Sequence, residues 1–349
     1  MEYKIGLIGC GTVGQGLLEI FRDKHAYLRD AYNFEPKVVS ICDKIKGSLL
    51  IPEGIDLDKL LQILNQGKPI GEYLEGQPNE TKGINPLEMI ETSEADIFAE
   101  LTYTDIQTGE PATSYIRKAL RTGKHVVTSN KGPAALFYRE LKNLAHQNNV
   151  FFRIEGTVMS GTPVFSLFEN GMAGNSIKEI KGILNGTTNF ILSQMEEENM
   201  DYEEALRLAQ NLGYAEADPT ADVEGYDALA KIVILSNVLL DGDIKPPDAK
   251  REGITSLSKE EIQAAKREGF RYKLIASTKK ENGEIIASVF PQKLPLSDPL
   301  TGIMGANNAL TFDLDLLGKI TIQGPGAGKI ETGCSILVDM LAIHRHLLK

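Results

Sequence analysis

Cysteine is scarce in this chain and its positions do not suit metal binding or disulfide formation. Among 349 residues only Cys10, Cys42 and Cys334 occur, scattered and without CxxC spacing. This pattern predicts reduced thiols in a cytoplasmic protein and excludes a disulfide or zinc framework. The chain also begins directly with the apolar segment YKIGLIGCG and has no basic region before a long apolar one, so no signal peptide is predicted.

Basic residues and long apolar runs are also in short supply. There are 37 Lys and Arg against 48 Asp and Glu, and the net charge is −11 with a pI near 5.1. Such an acidic chain is unsuited to non-specific binding of nucleic acid or anionic membranes, and we expect neither as a partner. The longest apolar run, IVILSNVLL at residues 232–240, is too short to cross a bilayer. The hydrophobic content of 42% nevertheless suffices for a core.

The first 150 residues alternate between apolar strands and amphipathic helices. YKIGLIG, PKVVSICD, ADIFAELTYT and KHVVTSN have the character of strands, and GEPATSYIRKALRTG and PAALFYRELKNLAHQNN that of helices. This alternation predicts an α/β fold, a Rossmann-type doubly wound parallel sheet over residues 1–150. Residues 44–94 are polar and broken by Gly and Pro, which favours a loop-rich insertion.

The pattern of strands and helices then changes, and the new pattern predicts an α+β second domain over residues 151–320. SIKEIKGILNG is typical of a strand, while TNFILSQMEEEN, YEEALRLAQNLG and GYDALAKIVILSNVLL are typical of helices. The segment YKLIASTKKENGEIIASVFPQKL predicts a hairpin with Asn282 and Gly283 at its turn. Residues 321–349 combine a glycine motif, GPGAG, with a last helix over residues 329–348, and we expect this segment to return to the first domain.

A glycine motif marks the first turn of the predicted sheet. GCGTVG at residues 9–14 matches G-x-G-x-x-G, follows a strand and opens a helix. Gly9 would allow the tight turn, Gly11 would let the backbone approach a pyrophosphate, and Gly14 would let helix and strand pack closely. Thr12 and Val13 complete the turn at the helix N-terminus, where anions bind. The motif therefore predicts a dinucleotide site rather than an ordinary turn.

The end of the second strand carries conflicting signals about the cofactor. An acid at this place, here Asp43, usually binds the ribose 2′-hydroxyl and favours NAD. Lys44 and Lys46 follow, and their cations could hold the 2′-phosphate of NADP. Two solvated lysines in a turn would have the same pattern. The residues alone leave the choice between NAD and NADP open.

Two further segments contain candidate site residues. Lys131, in TSNKGP, follows the fourth strand and starts a helix, where the dipole disfavours a cation. Because strand ends of this kind face the ligand crevice, the placement favours a role near the nicotinamide. EGTVMSGTP at residues 155–163 could expose carbonyls beside the Glu155 carboxylate for a hard cation. From the residues alone a plain turn is the better interpretation of that segment.

The most acidic segment, GYAEADPTADVEGYDALAK at residues 213–231, sets five carboxylates ahead of one lysine. Asp227 and Lys231 are four residues apart, so on a helix they share a face, and a surface salt bridge is the simplest interpretation. Ile234 and Leu235 follow on or near that face, which favours its burial instead. A buried lysine beside carboxylates could donate a proton to the oxyanion that forms when hydride adds to a carbonyl.

Together these segments resemble one family, homoserine dehydrogenase, over nearly the whole chain. The resemblance is carried by GCGTVG, TSNKGP, EGTVMSGTP, GILNGTTNFIL, LAQNLGYAEADPTADVEGYDALAKIVIL and GPGAG. It implies reversible reduction of L-aspartate 4-semialdehyde to L-homoserine with NADPH or NADH, with NADP favoured over NAD. It also implies a place in threonine and methionine biosynthesis, a substrate-binding and dimerisation role for the second domain, and a homodimer.

The resemblance also implies roles for individual residues. Lys231 would be the proton donor, Lys131 would hold the reacting oxygen, and Asp222 would belong to the catalytic group. The substrate would be bound by Glu216, Asp222, Tyr214, Thr187 and Asp227, with Asp227 also positioning Lys231. The cofactor would contact Gly9, Gly11, Thr12, Val13, Gly14, Asp43, Lys44, Thr102, Lys131 and Gly326. A sodium ion would be held by Glu155 and by the carbonyls of Val158, Ser160 and Thr162, which replaces the plain-turn interpretation.

The chain departs from the family pattern in two places. Thr102, Tyr103 and Thr104 stand where many members have a Gly-Gly pair or a Ser/Thr run, which affects the nicotinamide contacts. About twenty residues follow GPGAG and no kinase-like segment precedes Met1, so a monofunctional enzyme without a C-terminal ACT domain is expected.

Two other functions fit parts of the pattern. An acylating semialdehyde dehydrogenase would need a thiolate nucleophile, and none of the three cysteines follows a strand end in the second domain. A nucleotide sensor that retains the Rossmann domain without catalysis would not need the lysines and the matching acids. Thiol alkylation and an assay with aspartate semialdehyde and either cofactor distinguish these functions from the dehydrogenase.

Overall fold

The structure, a computed structural model, describes residues 1–74 and 83–348. It divides into two compact units. The first comprises Met1–Thr157 with Gly328–Lys349, and the second comprises Val158–Ala327. The predicted domain boundaries after residues 150 and 320 therefore lie ahead of the observed ones. The reason is local: the strand Phe152–Arg153 joins the first sheet, and the strand Gly318–Pro325 completes the second.

The first unit contains the predicted Rossmann-type sheet. Its strands are β1 (Glu2–Ile8), β2 (Glu35–Asp43), β3 (Gly47–Leu50), β4 (Ile97–Glu100), β5 (His125–Thr128) and β6 (Phe152–Arg153). Their order is β3-β2-β1-β4-β5-β6, parallel except for the edge strand β3. The order reverses at β1, so the carboxyl ends of β1 and β4 flank a crevice suited to a nucleotide.

In the described residues, six helices accompany this sheet, and they are numbered along the whole chain. They are α1 (Thr12–Tyr32), α2 (Leu57–Asn65), α3 (Pro86–Thr92), α4 (Ala112–Arg121), α5 (Lys131–Gln147) and α12 (Lys329–Leu347). Helix α12 packs on α1 through glycines: a Cβ on Gly16 would overlap the Lys329 carbonyl oxygen, and one on Gly333 would lie 2.8 Å from the Leu17 nitrogen. The chain's last helix is therefore part of the core of the first unit.

The prediction of a loop-rich insertion over residues 44–94 was wrong for most of the described part. This stretch holds β3, α2, a short 3₁₀ helix (Ile70–Leu74) and α3. Asp56 caps α2 by accepting hydrogen bonds from the backbone N–H groups of Asp58 and Lys59, at 2.9 and 3.1 Å. The acidic cap and the apolar face behind it outweigh the polar composition. Residues 75–82 of the predicted insertion lie outside the described residues.

The second unit is α+β, as predicted. Its sheet has the order β12-β11-β7-β9-β10-β8. The strands are β7 (Ile177–Ile183), β8 (Lys250–Arg251), β9 (Phe270–Glu281), β10 (Glu284–Pro295), β11 (Asn307–Leu314) and β12 (Gly318–Pro325). The predicted hairpin is confirmed: Asn282 and Gly283 join β9 to β10 with φ angles of 52° and 88°, both left-handed.

Helices on this sheet carry the acidic segment and its lysine. They are α6 (Phe165–Gly171), α7 (Gly186–Glu197), α8 (Tyr202–Asn211), α9 (Thr220–Val223), α10 (Tyr226–Leu239) and α11 (Lys259–Arg267). Every residue of α10 from Ala228 to Asn237 is buried, so the prediction that Lys231 faces the interior is confirmed. No helix in residues 1–74 and 83–348 is both long and apolar enough to cross a membrane.

Candidate active site

The glycine turn after β1 has the geometry of a dinucleotide-binding loop. Gly9 has φ +97°, and a Cβ there would lie 2.5 Å from the Leu101 carbonyl oxygen. Both the backbone conformation and the lack of space therefore exclude a side chain at this position. At Gly14 a Cβ would come within 2.8 Å of the Gly9 oxygen, which is the close packing that the third glycine permits. A Cβ on Gly11 would meet no described atom within 4 Å. The space in front of Gly11, at the start of α1, is therefore open to a phosphate group.

Asp43, at the end of β2, ties this turn to the next one. One carboxylate oxygen accepts the Cys10 backbone N–H at 2.7 Å, and the other accepts those of Ile45 and Lys46 at 2.9 Å each. Burial raises the pKa of Asp43, but these three N–H groups outweigh burial and the pKa is lowered overall. Asp43 is thus a carboxylate at neutral pH. Lys44 is exposed beside it.

Glu100, at the end of β4, organises the crevice where the nicotinamide end of a cofactor would lie. Its carboxylate accepts from the backbone and hydroxyl of Thr102 and lies 3.0 Å from the Thr128 hydroxyl. Complete burial raises its pKa, opposed by the hydrogen bonds from Thr102, Thr128 and Asn130. The hydroxyl of Thr102, a predicted cofactor contact, is therefore occupied within the protein. Glu100 was not among the predicted site residues, although an acid that closes the apolar run IFAE was a usable signal.

Lys131 is the first residue of α5, directly after the turn that follows β5, and is partly exposed. Asn130 caps this helix by accepting the Gly132 N–H at 3.2 Å, while its amide donates to the Thr102 and Tyr103 carbonyls. The network that starts at Glu100 thus extends to the residue beside Lys131. This places Lys131 at the carboxyl edge of the sheet, as predicted.

In the second unit, the Lys231 ammonium is buried and held by two acceptors. Its Nζ lies 2.7 Å from Asp227 Oδ2, one helical turn earlier, and 2.7 Å from the Leu184 carbonyl oxygen at the end of β7. The residue as a whole is 8% exposed. Because the Asp227 and Lys231 side chains are 16% and 10% exposed, their pair is not the solvated surface bridge that the spacing alone suggests.

Asn185 joins this pair to Asp222. Its amide nitrogen donates to Asp222 Oδ1 at 2.6 Å and to Asp227 Oδ2 at 2.9 Å, while its oxygen caps α7 by accepting the Thr188 N–H at 2.9 Å. Asn185, Asp222, Asp227 and Lys231 are called the lysine cluster below. Asn185 was missed in the sequence analysis, although an Asn before a helical GTT segment is a recognisable N-cap.

Asp222 has an unusual environment for a carboxylate. Burial raises its pKa, the nearby Asp227 carboxylate raises it further, and the hydrogen bond from Asn185 together with the Lys231 charge opposes the rise. The Thr187 hydroxyl donates to the Tyr214 carbonyl at 2.6 Å, and the Tyr214 ring packs on Phe190 with centroids 4.8 Å apart. Four of the predicted substrate residues, Asp222, Asp227, Thr187 and Tyr214, therefore lie in one neighbourhood.

The other acids of the segment lie outside the lysine cluster. Glu216 is exposed, and its backbone carbonyl accepts a hydrogen bond from the Gln210 amide at 3.1 Å. Asp218 accepts the Thr220 N–H at 3.1 Å and so stabilises a turn. Glu224 accepts the Thr255 hydroxyl at 2.8 Å. The structure therefore does not place Glu216 with Asp222 in one hydrogen-bonded set.

The residues of the predicted sodium site lie on both sides of the boundary between the units. In the first unit Glu155 is 1% exposed, and its N–H donates to Asp339 at 2.7 Å. In the second unit Val158 is buried. The next two residues, Met159 and Ser160, both have a left-handed backbone, with φ angles of 58° and 52°. Across residues 1–74 and 83–348, no group of three or more His, Cys, Asp or Glu side chains is placed to hold a metal ion. A cation here would need carbonyl oxygens in addition to Glu155.

Gly326, the predicted cofactor contact of the GPGAG segment, lies against a buried amide in its own unit. A Cβ on Gly326 would come within 2.5 Å of Asn308 Oδ1, so no larger residue fits in this conformation. Neither the nitrogen nor the oxygen of the Asn308 amide has a hydrogen-bond partner within the part of the chain that the structure describes. Thr162 similarly lies against Gly324.

Family models match both units. The model described as homoserine dehydrogenase matches residues 163–341, and the one described as homoserine dehydrogenase, NAD binding domain, matches residues 9–155. An NAD(+)-dependent homoserine dehydrogenase of Pseudomonas canavaninivorans is 44% identical over 99% of this chain and 97% of its own. A homoserine dehydrogenase of Methanocaldococcus jannaschii is 38% identical over 98% of this chain and 99% of its own.

Solved structures agree with this match. A hyperthermophilic archaeal homoserine dehydrogenase in complex with NADPH superposes with a TM-score of 0.83 and 31% identity, covering 99% of this chain and 98% of that one. The homoserine dehydrogenase of Thiobacillus denitrificans has a TM-score of 0.85 and 31% identity over 100% of this chain and 75% of its own. With a nucleotide turn in one unit, a buried lysine cluster in the other and matches over both, the chain belongs to the homoserine dehydrogenase family of NAD(P)-dependent oxidoreductases.

Proposed function

We propose that the chain catalyses the reversible reduction of L-aspartate 4-semialdehyde to L-homoserine, at the branch toward threonine and methionine. The observation that carries this proposal is the buried Lys231 ammonium, fixed at 2.7 Å by both Asp227 and the Leu184 carbonyl. When bound, the dihydronicotinamide of NADPH or NADH supplies the hydride that reduces the aldehyde carbon. The residues of the chain then have to stabilise and protonate the oxygen.

Lys231 is the proton donor in this proposal. An ammonium has three N–H groups, and two of them are directed to Asp227 and Leu184, which leaves one for the substrate oxygen. Charge that develops on that oxygen is stabilised by the fixed cation, and the proton then moves from Nζ to the oxygen. Lys131 binds the same oxygen from the nucleotide-binding unit.

The remaining residues bind and orient the amino acid. Asp222 receives the substrate ammonium, since its carboxylate is anchored through one oxygen by Asn185 and lies beside Thr187. Tyr214 closes the same neighbourhood through its carbonyl bond with Thr187. For Glu216, which is exposed, we propose a contact that forms with substrate present.

Either nicotinamide cofactor is used, and NADPH at least as well as NADH. The charged Asp43 and the NAD(+)-dependent relative support NAD, whereas exposed Lys44 and the NADPH-bound archaeal structure support NADP. The phosphates bind at the turn of Gly9, Gly11, Thr12, Val13 and Gly14, where a Cβ on Gly11 would project into open space. Thr102 and Gly326 contact the nicotinamide half of the cofactor.

A sodium ion is proposed at Glu155 with the carbonyls of Val158, Ser160 and Thr162. The buried carboxylate and the two successive left-handed residues support it, because such a backbone can turn carbonyls toward one point. Its role is structural and no chemical step depends on it. Glu155→Gln should abolish any dependence of the melting temperature on sodium concentration, and an unchanged dependence would contradict the site.

A cytoplasmic homodimer is proposed as the working form. β12 is an edge of its sheet among the described strands, and its residues alternate between exposed and half-buried, so its outer side can pair with another chain. Light scattering should give about twice the 38.2 kDa of one chain. A mass of one chain at micromolar concentration would contradict the dimer.

The decisive assay follows oxidation of NADPH, and of NADH in parallel, with aspartate semialdehyde as substrate. Lys231→Ala should bind NADPH as the wild type does and lose kcat by a factor on the order of 10³, because both charge stabilisation and proton transfer are lost. Lys266→Ala, which removes another lysine of the same unit, is the matched control. No turnover by the wild type with either cofactor would refute the proposal, and near wild-type kcat in Lys231→Ala would refute the assignment of the donor.

The acylating alternative is disfavoured by the thiols themselves. Burial raises the pKa of Cys10 to about 12 and that of Cys42 to about 11, so neither is a thiolate at neutral pH. Burial raises the pKa of Cys334 as well. Turnover that survives thiol alkylation of the folded enzyme is the expected result.

A further inference from the structure

Lys273, on β9, is a buried cation outside the lysine cluster. It is 1% exposed, and its Nζ donates to Asn189 Oδ1 at 2.8 Å and to the Ile303 carbonyl at 2.6 Å, with Met304 Sδ at 3.4 Å. No carboxylate of the described residues lies within ion-pairing distance of it. Glu196, an acid that acts on Lys273 electrostatically, pairs with Arg271 at 2.8 Å instead.

An arrangement of this kind works against stability. Lysine is rarely buried without an ionic partner, because its ammonium loses hydration that neutral acceptors replace only in part. Burial lowers the pKa of Lys273 to about 8, with Glu196 and Glu197 opposing the shift and Arg271 adding to it. A hydrophobic residue of the same size would fill the site without this cost. The cation therefore needs a reason other than packing.

The contacts of Lys273 lead to the N-terminal turn of α7. Asn189, its side-chain partner, donates from its own amide to the Ile303 and Asn307 carbonyls, at 3.2 and 3.1 Å. The Asn189 backbone N–H bonds the Asn185 carbonyl at 3.3 Å. Lys273 and Asn189 together thus fasten the first turn of α7 to the segment before β11.

That first turn carries two residues of the substrate site. Gly186 lies so close to the segment before β11 that a Cβ would sit 2.5 Å from the Ala306 carbonyl oxygen, which leaves little freedom for sliding. The neighbouring Asn185 holds Asp222 and Asp227, and Thr187 reaches the Tyr214 carbonyl. A shift of the turn by a fraction of a helical rise would move both side chains relative to Lys231.

We propose that Lys273 is a positioning residue for the substrate site, acting through Asn189 to set where Asn185 and Thr187 stand against Asp222 and Lys231. This inference rests on the proposed function, because that function is what assigns the amino-acid substrate to the site. The ammonium suits the task because its three donors can bind a side chain and the opposing loop at once, which a hydrophobic residue cannot do.

The test replaces Lys273 by Met, which matches its length and cannot donate. Lys273→Met should lower kcat/KM for homoserine oxidation by about tenfold or more, through the misplacement of reacting groups. Binding of NADPH, measured by fluorescence titration, should stay within twofold, and the melting temperature should not fall. Lys266→Met is the matched control: Lys266 also binds α7, at the Glu196 carbonyl 2.9 Å away, but at the opposite end of the helix. It should keep wild-type kcat/KM.

A double-mutant cycle with Asn189→Ala examines the route. If Lys273 acts through Asn189, the double variant should be no worse in kcat/KM than the worse single variant, whereas independent effects would multiply. Lys273→Gln, which keeps a donor, replaces Lys273→Met if the latter does not fold, and should retain part of the activity.

Wild-type kcat/KM in Lys273→Met, an activity of Lys273→Gln no higher than that of a folded Lys273→Met, an equal loss in Lys266→Met, or multiplying effects in the cycle would each overturn the proposal. A loss of activity that parallels a loss of melting temperature and of NADPH binding would also overturn it, since that is the signature of a general folding defect. Failure of the proposed function is separately visible, because the wild type itself would then show no turnover.

Discussion

At the residue scale, the lysine cluster sets a desolvated cation among acceptors of different kinds. Lys231 has one charged acceptor in Asp227 and one neutral acceptor in the Leu184 carbonyl, so it is fixed without being fully neutralised. Asn185 supplies the donors that let Asp222 and Asp227 lie near each other.

Asp222→Asn should raise stability and lower activity. Burial and the Asp227 carboxylate raise the pKa of Asp222 in the folded protein above the ordinary value of 3.8. The folded state therefore holds the Asp222 proton more tightly than the unfolded state does, and the free energy of unfolding falls as pH rises above 3.8. The neutral amide avoids this cost. We expect a higher melting temperature than wild type at pH 7, together with a KM for homoserine raised by about tenfold from the lost charge-assisted bond.

The pH dependence is the internal control of that experiment. Below the unfolded-state pKa the Asp222 carboxyl is protonated in both states, so the difference in melting temperature between variant and wild type should shrink toward pH 4. A difference that stays constant from pH 4 to 7, or a less stable variant at pH 7, would contradict this account of Asp222.

Asn185→Ala should damage both stability and catalysis. It removes the cap of α7, worth about 1 kcal/mol, and leaves Asp222 and Asp227 without their shared donor. Ser258→Ala is the control, since Ser258 caps α11 in the same unit by accepting the Glu261 N–H at 3.2 Å. Both variants should lose stability in denaturant titrations, and only Asn185→Ala should lose kcat/KM. Equal kinetic effects would mean that Asn185 acts only as a cap.

At the element scale, each glycine of the first βα turn is required for a different reason. Position 9 requires glycine because its φ is positive, and position 14 requires it because a Cβ would crowd the carbonyl oxygen of Gly9. Gly11, by contrast, has an ordinary φ of −76° and open space in front of it. The structure alone therefore has no need for glycine at Gly11. We expect the requirement there to come from the bound nucleotide.

Gly11→Ala separates these reasons by experiment. Because the added methyl meets no described atom within 4 Å, the melting temperature without cofactor should stay within a degree or two. The Kd for NADPH should rise by about tenfold or more, because the methyl occupies the place of approach of the pyrophosphate. Gly14→Ala, whose methyl would lie 2.8 Å from the Gly9 oxygen, should instead lower the melting temperature. Unchanged NADPH affinity in Gly11→Ala would place the phosphates elsewhere.

At the scale of the whole molecule, the first unit is assembled from both ends of the chain. Helix α12 packs on α1, and its Asp339 accepts the Arg153 Nε at 3.1 Å and the Glu155 N–H at 2.7 Å. His344 likewise lies 3.0 Å from the Tyr3 hydroxyl and 2.9 Å from the Tyr32 carbonyl. The nucleotide-binding unit is therefore built from two segments of the sequence, one before the second unit and one after it.

Ile336→Ala should destabilise that unit strongly. Ile336 is fully buried in the core shared with α1 and the sheet, and its truncation should cost roughly 2–5 kcal/mol in the free energy of unfolding. Ile330→Ala, on the same helix but at a position 45% exposed, is the control and should change stability by less than about 0.5 kcal/mol. Urea titration with NADPH fluorescence as the probe measures both. Equal effects would mean that α12 is not part of the core.

Some of the candidate site was predictable because it depends on local rules. The glycine spacing of residues 9–14 determines a backbone turn, the four-residue gap between Asp227 and Lys231 determines a shared helical face, and Asn282-Gly283 determines a hairpin. Of the missed residues, Glu100 and Asn185 had only weak local marks, an acid at a strand end and an Asn before a helix, and Lys273 had none. Glu100, Asn185 and Lys273 acquire their roles from partners 28, 37 and 84 positions away.

The sequence by itself determined the alternation of strands and helices, the dinucleotide turn, the hairpin and the buried face of α10, because backbone geometry and hydrophobic period act over a few residues. Only the tertiary structure decided that Leu184 and Asn185 meet Lys231 and its acids, and that Glu216 stays apart from them. Those contacts depend on how buried surfaces fit once distant segments pack, and no local period encodes that fit.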